Sequence, residues 1–338
     1  MSVLSTARPT LLDLSKRTDP DGNIAQIVEL LAQELPVLED MTFQEGNLPT
    51  GHRTTVRTGI PTPTWRKINQ GVQPTKSTTA QITANTGMME AYAEVDKALA
   101  DLNGNTAEWR MSEEWGHIEG MRQEMERTIF YGNEGTQPEA FTGFTPHYNA
   151  RTTSLSGANI ISANDATSPT DNQSIWLIGW GPNTVHGIIP KGSNAGLQIT
   201  DKGQVTIENA DGNGGRMEGY RTHYRWDAGL VIRDWRYVVR ICNISKAALT
   251  ADASTGPNLP NLMFDALEQI QSISGVTPVF YMSRKLRSFF RKQLAAAVKQ
   301  STLTVDQVGG VSNSSFDDVP IKRADALAAD EAYVPASS

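Results

Sequence analysis

Residues 106–131 read TAEWRMSEEWGHIEGMRQEMERTIFY and form the longest helical pattern in the chain. Asn105 is a typical N-cap residue with Glu108 three positions on, and Gly132 is a typical helix end. At 1.5 Å per residue the helix would be about 39 Å long. An apolar stripe at three- and four-residue steps is predicted to be buried: Met111, Trp115, Ile118, Met121 or the stem of Arg122, Met125 and Ile129. The other face is predicted to be exposed and acidic: Glu113, Glu114, Glu119, Glu124 and Glu126. The stretch therefore predicts a long strut with one buried face.

Residues 46–86, which precede this helix, are rich in Thr, Pro and Gly. Alternating side chains predict β-strands around residues 55–58 and 64–68. The apolar residues are too few to form a core: Val56, Ile60, Trp65, Ile68, Val72 and Ile82. Because a long two-stranded ribbon is marginally stable alone in water, we expect another subunit to support this segment.

Charge is distributed unevenly along the chain. The total is −7, with −5 in residues 1–45, +5 in residues 46–89 and −8 in residues 90–139. The middle segment contains no acid, and its bases are Arg53, Arg57, Arg66, Lys67 and Lys76. An acidic chain is not typical of proteins whose main role is gripping DNA. Charge alone leaves open whether the basic segment contacts an acidic surface or is simply solvated.

The remaining chain predicts a mixed α and β protein. Residues 1–22 predict an extended arm, and a helix is expected from Asn23 to Leu35, before Pro36. Strands are predicted at 174–180, 185–189, 204–208, 216–226 and 230–244. A linker at 250–260 precedes a helix at 260–274, a strand at 278–282 and a helix at 283–300. A Gly/Ser-rich loop at 309–315 leads to a last strand near 319–324.

The sequence contains no recognisable catalytic, cofactor or metal motif, and none of these sites is predicted. Its five histidines form no HxH or HExxH pair, although His186 and His223 could meet across strands. Cys242 lies in an apolar run and is expected to be a buried, unreactive thiol. The helix at 283–300 is basic and amphipathic, which fits a packed helix with a polar face better than a helix lying on a membrane or nucleic acid. No membrane span is expected.

Three phrases in their order resemble the major capsid proteins of tailed bacteriophages with the Hong Kong 97-type fold. YGNEGTQPEA at 131–140 resembles the segment after that family's spine helix. SIWLIGW at 174–180 with VHGII at 185–189, followed by VIRDWRYVVR at 231–240, is similar to the epsilon15-like and Bordetella-phage-like capsid proteins of short-tailed phages. The resemblance covers nearly the whole chain.

The resemblance implies an α+β fold with named parts. Residues 1–44 would be the N-arm, 45–85 the E-loop, 86–245 the peripheral domain with spine helix 106–131, and 246–338 the axial domain. The strand and helix of the axial domain follow the peripheral strands here, whereas they precede them in the common arrangement. We therefore expect permuted connectivity.

The resemblance also implies a function. The chain would be a non-enzymatic subunit of the virion that forms hexamers and pentamers and encloses double-stranded DNA without sequence-specific binding, and it would assemble in the host cytoplasm. Its expected partners are a separate scaffolding protein, a portal and a possible decoration protein. Lys67 or Lys76 could donate to a covalent cross-link, but no cross-link is expected.

In this family the E-loop lies over a neighbouring subunit, which marks candidate contact residues: Arg53, Arg57, Trp65, Arg66, Lys67, Lys76, Glu113, Glu114 and Glu119. Ile68, Trp109 and Trp115 are expected to add apolar contacts. The alternatives are an encapsulin-like nanocompartment shell and, more distantly, a β-rich carbohydrate-active enzyme.

Overall fold

The computed structural model describes residues 8–9, 31–102, 106–153, 155–164, 170–208, 214–251, 256–273, 275–296, 303–308 and 311–336. Its helices are α1 (Val37–Asp40), α2 (Lys97–Ala100), α3 (Thr106–Tyr131), α4 (Phe144–His147), α5 (Leu259–Gln269) and α6 (Arg284–Ala296). The predicted helix starting at Asn23 lies outside the described residues up to position 30, and residues 31–36 are not helical.

The strands alternate with these helices. They are β1 (Phe43–Glu45), β2 (Gly51–Gly59), β3 (Thr78–Asp96), β4 (Ile160–Ser162), β5 (Asn172–Trp180), β6 (Val185–Ile189) and β7 (Gln198–Ile207). They continue with β8 (Met217–Ile232), β9 (Val238–Ser245), β10 (Thr277–Met282), β11 (Leu303–Val308), β12 (Val311–Phe316) and β13 (Val319–Arg323).

One continuous sheet connects these strands, in the order β11-β12-β13-β10-β5-β6-β8-β3-β2. Strand β9 also pairs with β5, β4 with β9, β7 with β8, and β1 with β6. At the centre, β10 runs antiparallel to β5, with Phe280 opposite Leu177. The sheet therefore extends from the C-terminal part of the chain to the segment that precedes α3.

The centre of the sheet is covered on both faces because its side chains alternate. Trp176 and Ile178 of β5 face a cluster that includes Met125 and Ile129 of α3. Ile175 and Leu177 of the same strand face the other cluster, which contains the apolar residues of α5 and α6. Every residue of β5 is buried, as expected for a strand enclosed by helices on both sides.

Helix α3 has the predicted bounds, but its predicted faces are only partly correct. The C-terminal half is buried as expected through Met121, Met125 and Ile129. In the N-terminal half Met111 and Trp115 are 61% and 57% exposed, so the prediction that they are buried in the chain is wrong. The buried large side chain of this half is Trp109, which packs with Val95 and Ala100.

The predicted acidic face of α3 is only partly exposed: Glu124 is exposed, whereas Glu113, Glu114 and Glu119 are half-buried. Glu126 is fully buried, because the segment that contains α1 lies over it. This burial raises its pKa to about 8, while the backbone of Val37 and Leu38 acts in the opposite direction.

Three strand predictions differ from the structure. Residues 64–68 form no strand, since prolines interrupt the segment and no partner strand lies beside it. The two strands predicted at 216–226 and 230–244 are β8 and β9, and the break falls at the short 3₁₀ turn Trp235–Tyr237. The Gly/Ser-rich segment predicted as a loop contains β12, which pairs with both β11 and β13.

A buried ion pair fixes the C-terminal residues against the centre of the sheet. Arg240 of β9 contacts Glu331 at 2.7 Å, and both side chains are at most 5% exposed. Arg240 also donates to the backbone oxygen of Tyr148 at 2.7 Å. The hydroxyl of Tyr131, the last residue of α3, donates to the other oxygen of Glu331. One carboxylate thus connects α3, β9 and the C-terminal segment.

Candidate subunit-contact surface

A hairpin extends beyond the body of the sheet. Strand β2 pairs antiparallel with the outer half of β3, from Gly51 opposite Asn85 to Gly59 opposite Thr78. From Thr86 onward β3 pairs instead with β8. The partner of β3 therefore changes between Asn85 and Thr86, and no third strand of the described chain pairs with the hairpin at residues 51–85. Its tip, residues 60–77, contains no strand.

The hairpin tip exposes large apolar side chains. Trp65 is 100% exposed, Ile68 is 90% exposed and Ile60 is 83% exposed. Burial of apolar surface contributes about 25 cal/mol per Å². These exposed side chains contribute none of this free energy in the single subunit and would contribute it on being covered. Contiguous exposed apolar surface of this kind is typical of an interaction site.

The predicted basic residues all lie on this hairpin, and all are exposed. Arg53 donates to the Thr83 hydroxyl at 3.3 Å. None of the five makes an ion pair with an acid in the part of the chain that the structure describes: Arg53, Arg57, Arg66, Lys67 and Lys76. Their charges therefore remain available for a partner.

The predicted acidic residues lie on α3, and the fold does not bring them to the hairpin bases. Glu114 accepts a hydrogen bond from the Thr222 hydroxyl at 2.8 Å. Glu119 accepts from the backbone N–H of Gln33 at 3.0 Å and lies 3.3 Å from Arg122. Glu113 is half-buried. All three acids therefore already have interactions within the chain.

Two apolar side chains, Met111 and Trp115, lie one helical turn apart on α3 and are exposed beside Glu113 and Glu114. Trp115 was expected to add an apolar contact, whereas Met111 was placed only in the buried stripe of the helix. Helical periodicity alone could not distinguish a stripe facing the chain's own core from one facing another molecule. Trp109, which was expected to contact a neighbour, is 1% exposed and belongs to the subunit's own core.

At the base of the hairpin, two histidines lie beside an arginine. The rings of His52 in β2 and His186 in β6 are 6.1 Å apart, and Arg233 lies 3.0 Å from His52. His186 therefore meets His52 and not His223, which instead stacks on Tyr92. Burial, together with Arg233, lowers the pKa of His186 to about 4. The two imidazole rings are therefore uncharged at neutral pH, and Arg233 carries the positive charge of this cluster.

Part of the N-terminal arm is attached to the sheet through a carboxylate. Arg8 contacts Glu94 of β3 at 2.7 Å, and Arg221 of β8 contacts the same carboxylate at 2.6 Å. Burial alone would raise the pKa of Glu94, but hydrogen bonds from Arg8 and Arg221 hold it below its usual value. The anionic form of Glu94 therefore fixes residue 8 on the sheet.

Within the described residues, no group of three or more His, Cys, Asp or Glu side chains is placed to hold a metal. Cys242 is buried as predicted, and burial raises the pKa of its thiol to about 11. No helix in the described ranges is long and apolar enough to cross a membrane.

The chain is similar to one protein family and to chains of several solved structures. A family model described as major capsid protein GP7 matches residues 19–335. A chain in the near-atomic-resolution cryo-EM structure of bacteriophage epsilon15 is 36% identical, with a TM-score of 0.80 and complete coverage of both chains. The bacteriophage JBD30 capsid is 11% identical, with a TM-score of 0.47 and coverage of 88% of this chain and 93% of that one. No curated protein sequence matches.

The family match spans most of the chain, and the epsilon15 match spans all of it. The chain therefore belongs to the major capsid proteins of tailed bacteriophages, as an epsilon15-like subunit of the phage head with the Hong Kong 97-type fold.

Proposed function

We propose that this capsid subunit forms hexamers and pentamers of an icosahedral head, in which the hairpin of each copy lies across α3 of the next. The head encloses double-stranded DNA without sequence-specific binding and assembles in the host cytoplasm. The observation that carries the proposal is the complete exposure of Trp65, at the tip of a hairpin with which no third strand of the described chain pairs.

The two surfaces are complementary in polarity and charge. The hairpin segment has a charge of +5 and exposes Trp65 and Ile68, whereas residues 90–139 have a charge of −8 and expose Met111 and Trp115. Each exposed ion pair contributes at most about 1 kcal/mol, so the charges mainly set register and encounter rate. Burial of the aromatic side chains supplies most of the affinity.

The proposed acids also serve their own chain. Glu114 and Glu119 accept hydrogen bonds from Thr222 and Gln33, and Glu113 also interacts within the chain. In the proposed contact, all three contribute to the negative charge of α3 that attracts the hairpin bases. On the hairpin, Arg57, Arg66, Lys67 and Lys76 are exposed without an ion pair among the described residues.

The domain assignment follows the same proposal. Residues 1–44 form the N-arm, 45–85 the E-loop, 86–245 the peripheral domain and 246–338 the axial domain, with permuted connectivity. The change of β3's partner at Asn85 supports the end of the E-loop. The boundary at Ser245 is the last residue of β9, and the sheet continues across it through the β5–β10 pair.

Further partners belong to the proposal as well. We place a separate scaffolding protein and a portal beside the shell. A decoration protein is an additional candidate, since one related capsid, that of phage JBD30, is decorated with minor capsid protein trimers. Because the chain belongs to the phage capsid proteins, neither alternative is favoured: not the encapsulin-like nanocompartment shell, and not the carbohydrate-active enzyme.

Assembly of a Trp65→Ala variant tests the hairpin contact. We expect the variant subunit to keep its circular dichroism spectrum but to need about tenfold higher concentration to form shells, since each tenfold change corresponds to about 1.4 kcal/mol. Ile273→Ala is the control, because Ile273 is 50% exposed and lies between α5 and β10, outside both the hairpin and α3. Assembly of the Trp65→Ala subunit at the wild-type concentration would contradict the contact.

A further inference from the structure

Most lysines and arginines in the described chain make an ion pair with an acid of the same chain. The exceptions fall mainly in two groups, besides the isolated Lys191 and Lys202. The first group is the hairpin, whose bases the proposed hairpin contact uses. The second group lies on α6, on the far side of the sheet from α3. This second group has no role in the hairpin contact.

The bases of α6 form a strip along one side of the helix. Arg284, Lys285, Arg291 and Lys292 are exposed, and their spacing of one, seven and eight residues places them on one face. Only Arg284 of these four lies near an acid of the described chain, 3.4 Å from Asp325. We call these four residues the basic strip.

The opposite face of α6 is firmly packed, so the strip is held in place. Leu286, Phe290 and Leu294 are buried in the core. Gln293 accepts a hydrogen bond from the backbone of Leu259 at 2.9 Å and donates to the backbone oxygen of Pro257 at 3.0 Å. Helices α5 and α6 are therefore locked together as one unit.

Helix α5 of the same unit exposes the opposite charge. Asp265 and Glu268 are exposed and make no ion pair among the described residues, and we call them the acidic patch. Phe264 beside them is 38% exposed, and its ring lies 4.6 Å from that of Phe316. Asp317 and Asp318, in the turn after Phe316, are also exposed. Acids and bases thus lie on one rigid unit without neutralising each other.

We propose that the α5–α6 unit is a head-to-tail contact surface, in which the basic strip of one copy binds the acidic patch of the next copy. A head-to-tail contact needs two different, complementary patches on each subunit, and repeated rotation then closes a ring. Strip and patch meet this requirement on one rigid body. Phe264 supplies an apolar centre for the contact.

A nucleic acid is the weaker candidate for the occupant of the strip. Phosphates would use the basic strip but would leave Asp265 and Glu268 unexplained, and these acids would repel a polyanion close by. A second copy uses both sets of charges. It is also the partner that a capsid-forming subunit must have.

Charge reversal tests the contact between copies. Variant A carries Lys285→Glu, Arg291→Glu and Lys292→Glu, variant B carries Asp265→Lys and Glu268→Lys, and variant AB carries all five changes. We expect A and B alone to lose rings and shells in electron microscopy, and AB to recover them. Lys191→Glu with Lys202→Glu controls for the change of net charge and is expected to assemble normally.

Mixing A with B distinguishes contacts between chains from contacts within one chain. Since each strip then meets a patch of opposite sign only on the other variant, the mixture is expected to form rings of alternating subunits. An alternating ring requires an even number of subunits, so six-membered rings should form and five-membered rings should not. The parity result rests on the proposed hexamers and pentamers, whereas rescue by mixing does not.

Three results would overturn the inference. Loss of assembly in A but not in B would indicate a polyanion as the occupant. Normal assembly of both variants would show that the two patches are solvated. Rescue in AB but not in the A and B mixture would indicate a contact within one chain. Each result leaves the Trp65→Ala experiment unaffected, so failure of this contact is distinguishable from failure of the hairpin contact.

Discussion

Strand β5 and the hairpin tip contain similar residues in opposite surroundings. Every residue of β5 is buried, and Trp176 at its centre is 0% exposed. Trp65 at the hairpin tip is 100% exposed. The comparison shows that the chain buries one of these tryptophans by itself and leaves the other exposed; in the proposed contact, a neighbouring subunit covers the second. A tryptophan in each region makes the difference measurable.

The cause of the difference is the number of covering layers. Strand β5 has α3 on one face and α5 with α6 on the other, which excludes water from both. The hairpin has only the β2–β3 pair, and the described chain places no layer over it. Apolar side chains on a two-stranded ribbon gain burial only when another molecule covers them.

Replacing each of the two tryptophans by alanine should give the largest expected difference in unfolding free energy between the two regions. Trp176→Ala leaves a cavity in a packed core and should lower the free energy of unfolding by about 3–5 kcal/mol. Trp65→Ala should change it by less than about 0.5 kcal/mol. Urea unfolding of unassembled subunits, followed by circular dichroism, measures both. Comparable losses for the two variants would refute the distinction between the regions.

Removing a charge sharpens the comparison within the sheet centre. Arg240→Met leaves the buried Glu331 without its cation and should cost about 3–5 kcal/mol of unfolding free energy. Arg127→Met is the matched control, because the Arg127–Glu124 pair on α3 is largely exposed and should contribute less than about 0.5 kcal/mol. An Arg240→Met variant as stable as the control would show that the C-terminal attachment depends on other contacts.

The buried Glu126 predicts how core stability depends on pH. The unfolded chain releases this proton near the usual pKa of 4.5, whereas the folded chain keeps it until about pH 8. The folded state therefore binds more protons between these values, and stability should fall as the pH rises from 4.5 to 8. The Glu126→Gln variant should lack this fall in unfolding free energy, which is on the order of a few kcal/mol between pH 4.5 and pH 8.

Thermal unfolding at pH 5 and pH 8 measures this effect. The difference in Tm between the two pH values should shrink in the Glu126→Gln variant. Glu124→Gln, at an exposed position of the same helix, should leave the difference as it is in the wild type. If the Tm difference between pH 5 and pH 8 is the same in the Glu126→Gln and Glu124→Gln variants, Glu126 is ionised in the folded subunit.

Charge changes on the hairpin should have the smallest effect on folding. Arg57→Glu with Lys76→Glu alters exposed side chains without an ion pair in the described chain, so unfolding free energy should change by less than about 0.5 kcal/mol. Assembly, followed by light scattering, should slow several-fold at low salt and approach the wild-type rate at high salt. A rate defect that persists at high salt would contradict an electrostatic role.

Sequence periodicity predicted the sheet centre better than the surfaces. The bounds of α3 and β6 were correct, because caps and apolar runs are local signals. The sequence indicated one strand ending at residue 226 and another beginning at 230, but β8 continues through residues 227–229. It continues because β8 pairs with β3, β6 and β7, and these pairings keep Gly229 in the strand.

The residues of the proposed contact surface differ in how far the sequence showed their exposure. The bases of the hairpin were recognisable from an acid-free segment, and the structure leaves them exposed. The buried state of Glu126 depends on α1, which lies far from α3 in sequence, so the spacing within α3 could not show it. The exposure of Trp115 likewise depends on which residues the sheet edge can cover.

A cryo-EM map of the assembled shell tests the central claim most directly, through the surroundings of Trp65. We predict that its indole ring lies within van der Waals distance, about 4 Å, of α3 of the partner subunit near the exposed Met111 and Trp115. A map in which the Trp65 ring faces solvent, or packs only on its own chain, would contradict the account.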